Sequence, residues 1–112
     1  GLFESTTEDQ FFSIGSFKFD VEMRRLKKNG EDFKLSPKEA ALLKLLCQHK
    51  NKVLSRSAAL KKIWKDDNYF TGRSMDVYVA KLRKYFKEDN NIAIINIHSE
   101  GFRLVDRTED NS

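Results

Sequence analysis

The hydrophobic period of this chain changes twice along its length, and those two changes leave few architectures open to it. Residues 11 to 34 hold short β-forming runs, FFSI, FKFD, RRLKK and DFKL, broken by GS and NG at strand-like intervals. From Ser36 the apolar residues recur at helical spacing instead. The last part, NIAIINIHSEGFRLV, returns to β-rich runs on either side of HSEG. The order is therefore three or four short antiparallel strands, three helices, and a β-hairpin. KNGE, with Asn and Gly at its centre, predicts a type I′ turn in the first part.

The helices announce their own starts. In LSPKEAALLKLLCQHKN, Ser36 is placed as N-cap, Pro37 at the first helical position, and Glu39 three residues past the cap to close a capping box. Leu42, Leu43 and Leu46 form its inward stripe. VLSRSAALKKIW repeats the device with Ser55 as cap and Leu60, Ile63 and Trp64 inward or at the rim. After the connection KDDNYFTG, RSMDVYVAKLRKYF predicts a third helix that starts at or just after Gly72 and fades by Glu88. Met75, Val79, Leu82 and Phe86 fall at i, i+4, i+7 and i+11, one face of a helix. The opposite face carries Arg73, Val77, Lys81 and Lys84 with hardly any acid. A helix, a connection, a basic helix and then a β-ribbon is a winged helix-turn-helix arrangement of the α+β class.

At 112 residues, 39% hydrophobic and with nine Phe, the chain can bury one core. The expected domain runs from 11 to 105, with polar, acidic segments at 1 to 10 and 106 to 112 as linker and tail. No apolar run approaches a membrane span of about 20 residues, and no secretory signal pattern opens the chain. The missing initiator Met suggests an excised domain. Cys47, the only cysteine, excludes an internal disulfide and suits packing in a reducing compartment. No phosphate loop, metal-ligand spacing or catalytic constellation is present, so no cofactor, metal or enzymatic activity is expected. The charge is unevenly placed. Residues 52 to 87 hold ten Lys or Arg against three acids, a net +7, which leaves −3 to the rest of a chain of net +4. Such focusing suits an anionic partner, although solubility alone is an alternative use for it.

Four stretches in register then resemble the C-terminal effector domain of OmpR/PhoB-type response regulators, over roughly residues 11 to 105. They are LSPKEAALLKLL, VLSRSAALKKIW, RSMDVYVAKLRKYF and IINIHSEGFRL. The resemblance implies an N-terminal four-stranded antiparallel sheet, three helices and a C-terminal hairpin wing. It implies sequence-specific binding of double-stranded DNA at promoters, as direct repeats bound head-to-tail, in a bacterial, cytoplasmic two-component regulator. An upstream receiver domain and RNA polymerase are the implied protein partners. Ala40 stands where the family commonly has Phe, while Asn96, His98, Ser99 and Phe102 depart from the usual wing.

A major groove admits one α-helix, and carried over by position the resemblance places Arg73, Ser74, Val77, Tyr78, Lys81 and Arg83 at or near DNA. Helical geometry adds Lys84. Arg73 and Lys81 are the expected readers of guanine, Val77 and Tyr78 of a thymine methyl, and Ser74 and Arg83 of phosphate. Plain solvation is the alternative for Arg73 and Lys81, a rim position over the core for Tyr78, and an ion pair with a nearby acid for Arg83. Trp64 has two uses open to it, an indole N–H on phosphate or core packing. Arg56 and Lys61 are further phosphate candidates or solvated charges. His49, after the first helix, is read as a dipole partner or a solvated residue. In the wing, His98 takes the place of an Arg that enters the minor groove, or else points to solvent. As the groove contact it would make binding strengthen as pH falls through about 7 to 6. The connection, with Asp66, Asp67, Tyr69 and Phe70, is the expected polymerase contact, with core closure as the other role for its two rings. Two further functions compete: a winged helix of a single-component or membrane-anchored regulator, and a basic module for an acidic protein.

Overall fold

The computed structural model describes residues 11–64, 69–98 and 100–107, with the backbone alone for 69–72. Its first layer comes from period-2 alternation. Strands β1 (Phe11–Ile14), β2 (Phe17–Asp20), β3 (Arg25–Lys28) and β4 (Glu31–Lys34) form an antiparallel sheet in chain order. Phe12, Phe19, Leu26 and Phe33 lie opposite one another in a row across all four strands. The next row, Ser13, Lys18, Lys27 and Asp32, turns outward to water. Between β3 and β4, Asn29 and Gly30 take φ of 43° and 87°, the pair of positive values that a type I′ turn requires.

Helix α1 (Pro37–Gln48) begins as its sequence predicts. Ser36 Oγ accepts from Glu39 N at 3.3 Å, and Glu39 Oε1 accepts from Ser36 N at 2.8 Å. Glu39 is buried and accepts a second hydrogen bond from Tyr85 Oη at 3.4 Å. Burial, and then the Glu39 charge, push the Tyr85 hydroxyl above its ordinary pKa, so it stays a donor at neutral pH. At the other end His49 is the C-cap, its Nδ1 3.0 Å from Leu45 O. Cys47 lies inside the core, and burial pushes its thiol up to about 12. It carries no thiolate at neutral pH and is inert packing.

Helix α2 (Arg56–Ile63) is capped by Ser55 Oγ, which accepts from Ala58 N at 3.3 Å. Helix α3 (Tyr69–Phe86) turns Met75, Val79, Leu82 and Phe86 inward, each between 0% and 3% exposed. Its last turn meets the first sheet: Phe17 packs edge-on to Phe86 at 5.0 Å, and Phe33 lies 5.2 Å from Tyr85. The N-terminal sheet thus holds the C-terminal end of α3. Strands β6 (Ile92–Ile97) and β7 (Gly101–Asp106) form the wing hairpin.

Three boundaries differ from the sequence reading. Val53–Ser55 forms a short strand, β5, which pairs with β7 and makes the wing sheet three-stranded, in the order β5-β7-β6. Helix α3 starts at Tyr69 rather than at Gly72. A glycine inside a helix costs only about 1 kcal/mol, which burial of the apolar stripe outweighs. Finally, Asp106, expected at the start of the tail, is 1% exposed and belongs to β7. Its Oδ2 accepts from Gly15 N at 2.9 Å and faces Lys50 Nζ at 3.7 Å, while its own N–H donates to Asn51 Oδ1 at 3.0 Å. A buried carboxylate is tolerated when it is paired and hydrogen-bonded in this way. Arg107 N then donates to Asn91 O at 2.8 Å. Residues 1–10 and 108–112 lie outside the described residues.

Candidate nucleic-acid interface

The inward stripe of α3 fixes what its other face presents. Arg73, Val77, Lys81 and Lys84 are all exposed, with Val77 at 54%. Ser74 and Tyr78 are half-buried on the flanks. The face is therefore a basic surface with a bare branched aliphatic side chain in it. Nothing in the packing of the described residues requires Val77 to be there.

Trp64 and Tyr78, each open to two roles from sequence, are both partly buried against the core. Trp64, the C-cap of α2, is half-buried, and its ring lies 5.8 Å from that of Tyr78 at 48°. Lys81 Nζ sits 5.0 Å from the Tyr78 ring, and Lys38 Nζ sits 5.4 Å from the Trp64 ring. Two cations thus flank two rings in a line from the start of α1 across α2 to α3, an arrangement favoured by the quadrupole of each ring. Lys38 was not singled out in the sequence, though a signal existed. A lysine in the first turn opposes the helix dipole, so it needs some other partner, and here Lys38 Nζ donates to Ile63 O at 2.9 Å.

At the wing, Arg56, Asp76, Arg83, His98, Glu100 and Phe102 line part of an open cleft of about 440 Å³ between α3 and the hairpin. Arg56 makes a two-pronged ion pair with Asp76: Nη1 to Oδ1 at 2.7 Å and Nη2 to Oδ2 at 3.0 Å. That hydrogen bond holds the Arg56 guanidinium charge still more firmly. Arg83 does not take Asp76 as its partner. Its Nε donates to Ile94 O at 3.0 Å, which ties α3 to the wing strand. His98 and Asn96 are exposed, and Phe102 is buried. Lys61 is exposed on α2. Asp66, Asp67 and Ser99 lie outside the described residues. Tyr69 and Phe70 open α3 itself, and their side chains lie outside the described residues.

A four-stranded sheet, three helices and a hairpin whose wing stands beside a basic helix define a winged helix-turn-helix domain. The family model described as "Transcriptional regulatory protein, C terminal" matches residues 30–104. The transcriptional regulatory protein RprY of Bacteroides fragilis is 51% identical over 98 residues, which cover 88% of this chain and 42% of RprY. The chain thus spans less than half the length of the curated relatives it matches. Among solved structures, the DNA-binding domain of Klebsiella pneumoniae RstA in complex with the RstA box is 27% identical. It has a TM-score of 0.71 over 86% of this chain and 97% of that one. The DNA-binding domain of E. coli CpxR, 18% identical, has the same fold, with a TM-score of 0.75 over 86% of this chain and 96% of that one. The chain belongs to the family of C-terminal winged-helix effector domains of OmpR/PhoB-type response regulators. That family is not known to be enzymatic.

Proposed function

We propose that this domain binds promoter DNA sequence-specifically, as the effector half of a two-component transcription regulator in the bacterial cytoplasm. The observation that carries the reading is the α3 face, basic and exposed from Arg73 to Lys84 while its back is sealed in the core. With α3 in the major groove, Arg73 and Lys81 donate to guanine edges and Val77 and Tyr78 meet thymine methyl groups. Ser74, Lys84 and the Trp64 indole N–H fall to phosphates, which position the domain without reading sequence. His98 carries the wing to the adjacent minor groove. Two copies bind head-to-tail on a direct repeat with centres about 10–10.5 bp apart. In the whole protein an upstream receiver domain would control this binding by its phosphorylation, and the connection before α3, including Asp66, Asp67, Tyr69 and Phe70, would contact RNA polymerase. The resemblance to the family supports these last assignments.

The test is a titration with random-sequence duplex at two salt concentrations. Each neutralised phosphate contributes about −0.9 to the slope of log affinity against log salt. About four of them give roughly a hundredfold loss between about 50 and 200 mM. Affinity for duplex that does not change with salt would instead favour a protein-binding use of the basic face.

A further inference from the structure

Asp76 is the only acid in the sequence of α3, on the helix that carries Arg73, Lys81, Arg83 and Lys84. Its side chain is 55% exposed. A carboxylate there repels phosphate, so it weakens general affinity for DNA. Its ion pair with Arg56 lies on the surface, where such pairs add little to stability. Neither affinity nor stability accounts for it, whereas its geometry does. The two-pronged contact with Arg56 is the planar, directional kind that fixes orientation. Arg56 also reaches the wing twice: its backbone N–H donates to Glu100 O at 3.2 Å, and its guanidinium lies 5.6 Å from the Phe102 ring. Next to it, Ser55 pairs with Gly101 across β5 and β7. One residue therefore touches α3 with its charge and the wing with its backbone and its flat face.

We propose that Arg56 and Asp76 form a positioning strut that sets α3 relative to the wing, and with it the register in which α3 meets base edges. The proposal rests on the DNA-binding reading above. On it, Arg56 acts through Asp76 rather than as a phosphate contact. Electrostatics alone and the strut give opposite signs for one substitution. Asp76→Asn removes a negative charge from the DNA-facing side, so charge alone predicts tighter binding to any duplex. The strut predicts about tenfold weaker binding to a duplex carrying the selected site, with affinity for random duplex unchanged or slightly raised.

The experiment titrates the wild-type chain, Asp76→Asn and Arg56→Lys with both duplexes and follows their thermal unfolding. Arg56→Lys keeps the charge and loses the planar fork, so it should lose the same discrimination while melting close to wild type. Loss of discrimination by both variants at near-native stability supports the strut. Asp76→Asn binding the selected site as tightly as wild type, or more tightly, overturns it, as does full discrimination by Arg56→Lys, and in both cases the DNA-binding reading stands. A wild-type chain that does not distinguish the two duplexes overturns the DNA-binding reading and the strut together.

Discussion

Gly101→Ala is expected to destabilise the domain by about 3 kcal/mol, the upper end of what overpacking costs. Gly101 starts β7 opposite Ser55 of β5. A Cβ on it would lie 2.0 Å from Leu54 O and 2.9 Å from Arg56 N. Both are backbone atoms at the junction of β5 and α2, so no rotamer change relieves the clash. Either the strand pair opens or the start of α2 moves, and the wing loses its seat in both cases. Gly30 supplies the comparison. Its φ is 87°, yet a Cβ there meets nothing within 4 Å. Gly30→Ala should therefore cost only the backbone strain of one turn residue, about 1 kcal/mol. Urea unfolding of the two variants should place Gly101→Ala well below Gly30→Ala. Equal midpoints would mean that β5 and β7 do not approach as closely as the structure has them.

Arg73→Ala and Lys81→Ala should each cost about 1–3 kcal/mol of specific DNA affinity and relax base preference at one position of the site. Both side chains stand on the exposed face of α3, whose other face is fixed by buried Met75, Val79 and Leu82, so they project from a rigid support. Lys81 has a second attachment, 5.0 Å from the Tyr78 ring, which restricts its rotamers before DNA arrives. Its loss should thus also loosen Tyr78 and affect a neighbouring position. Lys62→Ala, an exposed lysine on the last turn of α2, should alter the salt slope and little else. The comparison is made by titrating single-base variants of the bound site. Unaltered base preference in both α3 variants would rule out this face as the reader of sequence.

Local and periodic features were legible in the chain. The capping box at Ser36 and Glu39, the Asn29–Gly30 turn and the Met75–Phe86 stripe each follow from residues within a few positions of one another, where helix and hairpin physics acts. Features set by distant residues were not. Val53–Ser55 is only three residues long, reads as the lead-in to a helix, and is a strand only because β7 lies beside it. Asp106 looks like the start of a solvated acidic tail until Gly15, Lys50 and Asn51 are brought around it. For the site, the exposed face of α3 followed from helical spacing alone. The pairing of Arg56 with Asp76 did not, since an acid and a base twenty residues apart have no spacing rule to connect them.

Selection of bound sites from a pool of random duplexes tests the central claim most directly. The account predicts a short enriched motif with guanines at fixed positions, present as a direct repeat with centres about 10–10.5 bp apart. A pool that returns with no enriched motif, although the chain is folded and retains duplex, would contradict sequence reading by α3.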